Sequence, residues 1–182
     1  MFSKFFVIKG FWVFVALSLL SSLALAQDAG FAEELQDFGV PATKYPRSKS
    51  AGYGAPTPST IPGAKVVTTK DLISMLSTDK RLIVVAAYPA KSTIAGGPTM
   101  DSAGEERLLG PDRDKFEKGL VDFTEGDKAR AVVFYCHSPK CWLSYNASLH
   151  AVELGYANVL WYRGGRDAWK EADQKFKKPA GS

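Results

Sequence analysis

Three apolar runs constrain the fold more than anything else in this chain: Leu82–Ala87 (LIVVAA), Ala131–Tyr135 (AVVFY) and the shorter Asn158–Trp161 (NVLW). Runs without polar alternation suit strands buried on both faces, the situation of a parallel sheet. Helical spacing fills the intervals between them. Thr68 or Thr69 caps a first helix carrying Leu72, Ile73, Met75 and Leu76. Asp112 to Phe123 places Phe116, Leu120 and Phe123 on one face, and Leu143 to Leu154 repeats apolar residues until Gly155 stops it. After a turn at Gly164-Gly165, Asp167 to Phe176 reads as a last helix. Lys65–Val67 and the surroundings of Ile94 supply two short strands, the second inside a Gly- and Pro-rich loop over 88–111. Strands alternating with helices predict an α/β fold: one domain over 62–176, with a central parallel sheet of about five strands and helices on both faces.

The flanks read differently. Residues 1–26 have the layout of a secretory signal peptide: Lys4 and Lys9, an uncharged run from Phe11, and small residues at Ala24-Leu25-Ala26. That leader predicts export to a bacterial periplasm, with no membrane attachment once it is cleaved. Residues 27–61 form an arm rich in Pro, Gly and Ser, with a short amphipathic helix expected over Phe31–Phe38; residues 177–182 are a tail. Loss of the leader takes two lysines and lowers the formal charge from +4 to +2. So weak a positive balance, without a dense basic block in the domain, argues against nucleic-acid binding.

Two cysteines survive cleavage, Cys136 and Cys141. Cys136 directly follows a strand, where ligands bind in open α/β sheets. The next helix starts a few residues later, so its amides and dipole are expected to favour a Cys136 thiolate. His137 and Lys140 lie in the same loop as candidate positive neighbours. His137 has three readings: it tunes the thiol, acts as a base, or faces solvent. Trp142 is expected to pack the helix start against the sheet. Three potential ligands at best make a metal site weak, and no cofactor is implied.

The stretch Val132 to Trp169, VVFYCHSPKCWLSYNASLHAVELGYANVLWYRGGRDAW, resembles the catalytic half of a rhodanese-like domain. Gly155-Tyr156, Asn158-Val159 and Gly164-Gly165-Arg166-Asp167-Ala168-Trp169 fill the places of the family's helix end, strand and GG-x-x-AW turn. Weaker similarity extends to Val66–Ala87. The resemblance implies a sulfurtransferase in which Cys136 takes sulfane sulfur from a small donor as a persulfide and passes it to a thiol or cyanide. It implies Cys136 and Cys141 as the catalytic pair and a substrate-binding loop of His137, Ser138, Pro139, Lys140 and Trp142, with the amides from 137 to 142 cradling the persulfide. Cys141-Trp142 also resembles a bacterial subset described by a Cys-x-x-Cys-Trp motif and linked to PQQ-dependent alcohol oxidation. The spacing here is Cys-x-x-x-x-Cys-Trp.

Cys141 either resolves a persulfide on Cys136 or forms a permanent bridge to it; both need Cα atoms within about 7 Å. Several features depart from the family. Val85-Ala86-Ala87-Tyr88 stands where Asp-x-Arg is common, no His-x-Pro-Gly-Ala element is present, and the loop lacks Gly and Arg. Without an Arg to grip phosphate bidentately, a Cys-loop phosphatase is disfavoured. The rivals are a degenerate rhodanese fold that binds a periplasmic partner with its cysteines locked as a disulfide, and a thiol–disulfide exchange protein.

Overall fold

The computed structural model describes residues 30–179, so the signal-peptide expectation lies outside the described residues. Four parallel strands form the central sheet: β1 (Lys65–Val67), β2 (Ile83–Ala86), β4 (Val132–Tyr135) and β5 (Val159–Tyr162), in the order β1-β5-β4-β2. Every residue of β2, β4 and β5 is buried, the outcome expected of strands covered on both sides. The connecting helices are α1 (Thr69–Thr78), α2 (Pro111–Thr124), α3 (Leu143–Glu153) and α4 (Gly165–Glu171).

Alternation along the strands sorts the core. Val84, Ala86, Val133, Tyr135, Leu160 and Tyr162 pack with Leu72 of α1 and Ala168 and Trp169 of α4. On the other face Ile83, Val85, Val132, Phe134 and Val159 pack with Phe116 and Leu120 of α2 and Ala147 and Ala151 of α3. Thr68 begins α1 with a complete capping box to Asp71. Gly155, at φ +83°, ends α3 while its N–H and that of Tyr156 reach the carbonyls of Val152 and Ala151.

Four strands form the sheet where about five were expected. The strand near Ile94 exists as β3 (Thr93–Ile94), but it pairs antiparallel with β6 (Phe176–Lys177) in a separate ribbon. Beside β2 the fifth place is held by a single bridge between Ala86 and Thr99. Phe176 was expected to close the last helix. That helix ends five residues earlier, Asp173 turns through φ +55°, and Phe176 enters β6.

Residues 30–61 of the arm lie across the domain. No helix forms over Phe31–Phe38: Ala32 and Glu33 take positive φ, and residues 32–35 make a turn. The Glu34 and Gln36 carbonyls are drawn instead to the buried Arg163 guanidinium, at 2.9 and 2.8 Å. The Glu34 carboxylate accepts from the backbone N–H and hydroxyl of Thr69. Further along, the Tyr145 hydroxyl closes a two-way bond with the Thr43 backbone, and Asn146 does the same with Arg47. Ile61 joins Trp142, Tyr145, Leu149 and Trp161 in a third apolar cluster. The arm therefore buries the outer face of α3, which explains why Ser144 to Ala151 is buried on every side.

Candidate active site

β4 delivers Cys136 at its carboxyl end, and the loop 137–142 leads into α3. Cys136 and Cys141 are joined as a disulfide, with Cα atoms 6.2 Å apart. Cys136 is 1% exposed and Cys141 8% exposed, and both belong to the cluster built on Val84, Ala86, Ile94, Val133 and Tyr135. The thiolate expected at Cys136 is not the form this structure holds: its sulfur is bonded to Cys141 and packed into the core.

Three of the amides expected to cradle that sulfur are engaged elsewhere. The Cys141 N–H donates to the Ser138 carbonyl, the Lys140 N–H to Ser138 Oγ, and the Trp142 N–H to the Tyr53 carbonyl of the arm. Pro139 has no N–H to give. These amides serve a local turn and the arm, so they do not converge on Cys136. The helix facing the loop is α4 rather than α3. The Arg166 and Asp167 N–H groups donate to the Cys136 and His137 carbonyls at 3.0 and 2.9 Å. Gly165 permits that approach: at φ +61°, a Cβ there would sit 2.5 Å from the Cys136 carbonyl oxygen.

Neither expected cation serves the sulfur. The Lys140 ammonium pairs with Glu33 at 2.9 Å and lies over the Phe38 ring. The exposed His137 ring tilts against Tyr88 at 4.3 Å between centroids. Partial burial and then the Arg166 charge lower its pKa, against the Asp167 carboxylate, which raises it.

The remaining loop residues fasten the arm. The Pro139 carbonyl accepts from the Thr57 N–H at 3.0 Å and the Thr57 hydroxyl at 2.6 Å. Trp142 is buried as expected, against Tyr145, and its indole N–H donates to the Pro56 carbonyl at 3.0 Å.

Sequence reasoning missed three neighbours. Tyr88, on the strand end next to Cys136, is buried, and its hydroxyl makes no hydrogen bond. Its place just after the LIVVAA run was the available signal. Arg166 donates to the Ser92 carbonyl at 2.6 Å and lies 3.9 Å over the Phe176 ring. Arg163 clamps the arm from the end of β5, and no periodicity marks it. A cleft of about 400 Å³ lined by Leu108, Phe116, His150 and Leu154 lies between α2 and α3, and neither cysteine lines it.

The model of the Rhodanese-like domain matches residues 56–172. The chain belongs to the rhodanese-like family. A thiosulfate sulfurtransferase from Pseudomonas aeruginosa matches over 63% of this chain and 20% of its own, at 17% identity and TM-score 0.47. This rhodanese-like chain thus spans about a fifth of that protein's length. A Rhodopseudomonas palustris protein of unknown function, whose description names tyrosine phosphatase as a candidate activity, matches over 63% of this chain and 85% of its own, at 20% identity and TM-score 0.47. The polysulfide-sulfur transferase homodimer of Wolinella succinogenes matches over 65% and 82%, at 13% identity and TM-score 0.44. No curated protein matches.

Proposed function

We propose that this chain is an exported, periplasmic rhodanese-like sulfurtransferase that works through the Cys136/Cys141 pair and rests as the disulfide. The observation that carries the reading is the bridge itself: it joins the thiol at the end of β4 to a second thiol in the same loop. In the dithiol form, the Cys136 thiolate attacks the sulfane sulfur of a donor such as thiosulfate. The donor's S–S bond breaks, sulfite leaves with the bonding pair, and Cys136 carries a persulfide. A small thiol takes the outer sulfur, or the Cys141 thiolate attacks Cys136 Sγ. The second route expels hydrosulfide and forms the disulfide, and an external dithiol then restores both thiols by exchange. An exported protein would run this chemistry in an oxidising compartment, where a disulfide persists between turnovers.

A second reading is favoured by the burial of both sulfurs and by the arm's use of the loop's amides: a catalytically degenerate module that binds a periplasmic partner with its bridge locked. Intact mass spectrometry separates the two. The protein is reduced, freed of reductant and mixed with thiosulfate. A gain of about 32 Da, one sulfur atom, in Cys141→Ser, which has no second thiol to expel it, supports transfer when Cys136→Ala shows none, as does return of the reduced wild type to the disulfide with release of hydrosulfide. Reduced protein that takes up no sulfur supports the binding module.

A further inference from the structure

The loop that holds the disulfide also holds the arm, and the two holds meet at adjacent residues. Trp142 follows Cys141 directly. Its backbone N–H binds the Tyr53 carbonyl at 2.9 Å and its indole N–H binds the Pro56 carbonyl at 3.0 Å. Two residues before Cys141, the Pro139 carbonyl receives both donors of Thr57. Residues 53–57 therefore lie as a strap across the outside of the bridge.

We propose that this strap is a redox-controlled gate over Cys136, shut by the disulfide and released when an external dithiol reduces it. The proposal rests on the reading that the pair cycles between the two forms. In the exchange step the dithiol's sulfur attacks one cysteine sulfur. The protein's S–S bond breaks, the protein gains two thiols, and the reductant leaves as its own disulfide. Sulfurs bonded at about 2 Å must then separate to the roughly 3.5–4 Å of unbonded heavy atoms.

Cys136 has little freedom to make that movement. It is 1% exposed at the end of a central strand, and its carbonyl is held by the Arg166 N–H. A close-packed interior gives such a residue nowhere to go. Cys141 is the less buried partner and lies in a turn, so it carries the displacement and Trp142 moves with it. The strap is anchored independently at either side of this contact. Arg47 is held by Asn146 of α3, and Thr57 is held by Arg163 at the end of β5. Between those anchors the chain is also held at Lys49, whose N–H donates to Glu106, and at Tyr53, whose hydroxyl donates to Glu105 and accepts from the Glu106 N–H, so the part that lifts is the turn over residues 54–56. Lifting uncovers Trp142 and Cys141 and opens a path to Cys136 for the sulfur donor.

Coupling between two equilibria is reciprocal. If reduction loosens the strap, a loosened strap favours the dithiol. The test is hydrogen exchange by mass spectrometry on the full chain, oxidised and reduced, with a redox titration of Trp142→Phe beside it. The Trp142 amide, which the Tyr53 carbonyl of the strap holds, is expected to exchange at least about tenfold faster after reduction, while the amides of β4 and α1 keep their protection. Trp142→Phe loses the bond to Pro56. At one fixed thiol–disulfide buffer it is expected to hold about three- to tenfold more dithiol relative to disulfide, the factor one hydrogen bond sets. Equal exchange of the Trp142 amide in the two redox forms overturns the gate, as does a wild-type redox midpoint in Trp142→Phe. Neither measurement uses a sulfur donor. A strap that moves in a protein that takes up no sulfur fails the sulfurtransferase alone, and a persulfide formed under a motionless strap fails the gate alone.

Discussion

Gly165 shows what a single residue contributes to this site. Its backbone stands at φ +61°, a conformation that glycine adopts without steric cost. A Cβ there would also lie 2.7 Å from the His137 carbonyl carbon and 2.8 Å from its oxygen. Those atoms are backbone, so no side chain can rotate away to relieve the contact. Gly165→Ala is therefore expected to destabilise the fold by about 2–4 kcal/mol, combining left-handed strain with a forced shift of the Cys136 loop. Urea denaturation measures it, and a midpoint within error of the wild type would show that the loop yields freely. The sequence marked this position, because paired glycines after a strand announce a turn. It did not mark Tyr88 or Arg163. A lone Tyr past an apolar run and a lone Arg past another have no periodicity to betray them, and their roles depend on which distant segment reaches them.

Elements were legible in proportion to the number of residues that repeat the same signal. β2 and β4 carry four buried apolar residues each, and their runs were visible to within one residue at either end. β3 and β6 have two residues each, and a pair that short carries no period. The turn over 32–35 defeated the helical pattern of Phe31–Phe38 because a tertiary partner outbid local preference: Arg163 takes carbonyls that a helix would have used internally. Arg163 is 2% exposed and bonds the Glu34 and Gln36 carbonyls and both the carbonyl and hydroxyl of Thr57, with its guanidinium over Phe38. Arg163→Met keeps much of the volume and removes every donor. The orphaned carbonyls are expected to cost about 2–4 kcal/mol, less whatever water recovers by entering as the arm loosens. Limited proteolysis should then cut within residues 30–57 well before the domain. Cleavage of the variant at the wild-type rate would mean that the arm is held by its apolar contacts alone.

At the scale of the molecule, the parallel sheet and its two helical layers were legible because they follow from the alternation of buried strands and amphipathic helices. The closed state of the site was not, because it needs three segments far apart in sequence: the arm, the cysteine loop and the start of α4. The disulfide sits where these meet, so its contribution to stability exceeds a local one. The cysteines lie five positions apart, and the chain-entropy relation for so short a loop gives only about 2 kcal/mol of stabilisation. In a domain of this size that corresponds to roughly 4–8 °C in Tm. A bridge that merely closed its own loop would show no more than this on reduction. Coupling to the strap adds the loss of arm contacts, so reduced protein is expected to melt more than about 8 °C below the oxidised form. A variant lacking residues 30–57 would shrink that difference toward the entropic value if it retains the fold. Calorimetry of the full chain with and without a phosphine reductant measures the first quantity. A difference within the entropic range would assign the bridge to the loop alone and leave the arm's packing independent of redox state.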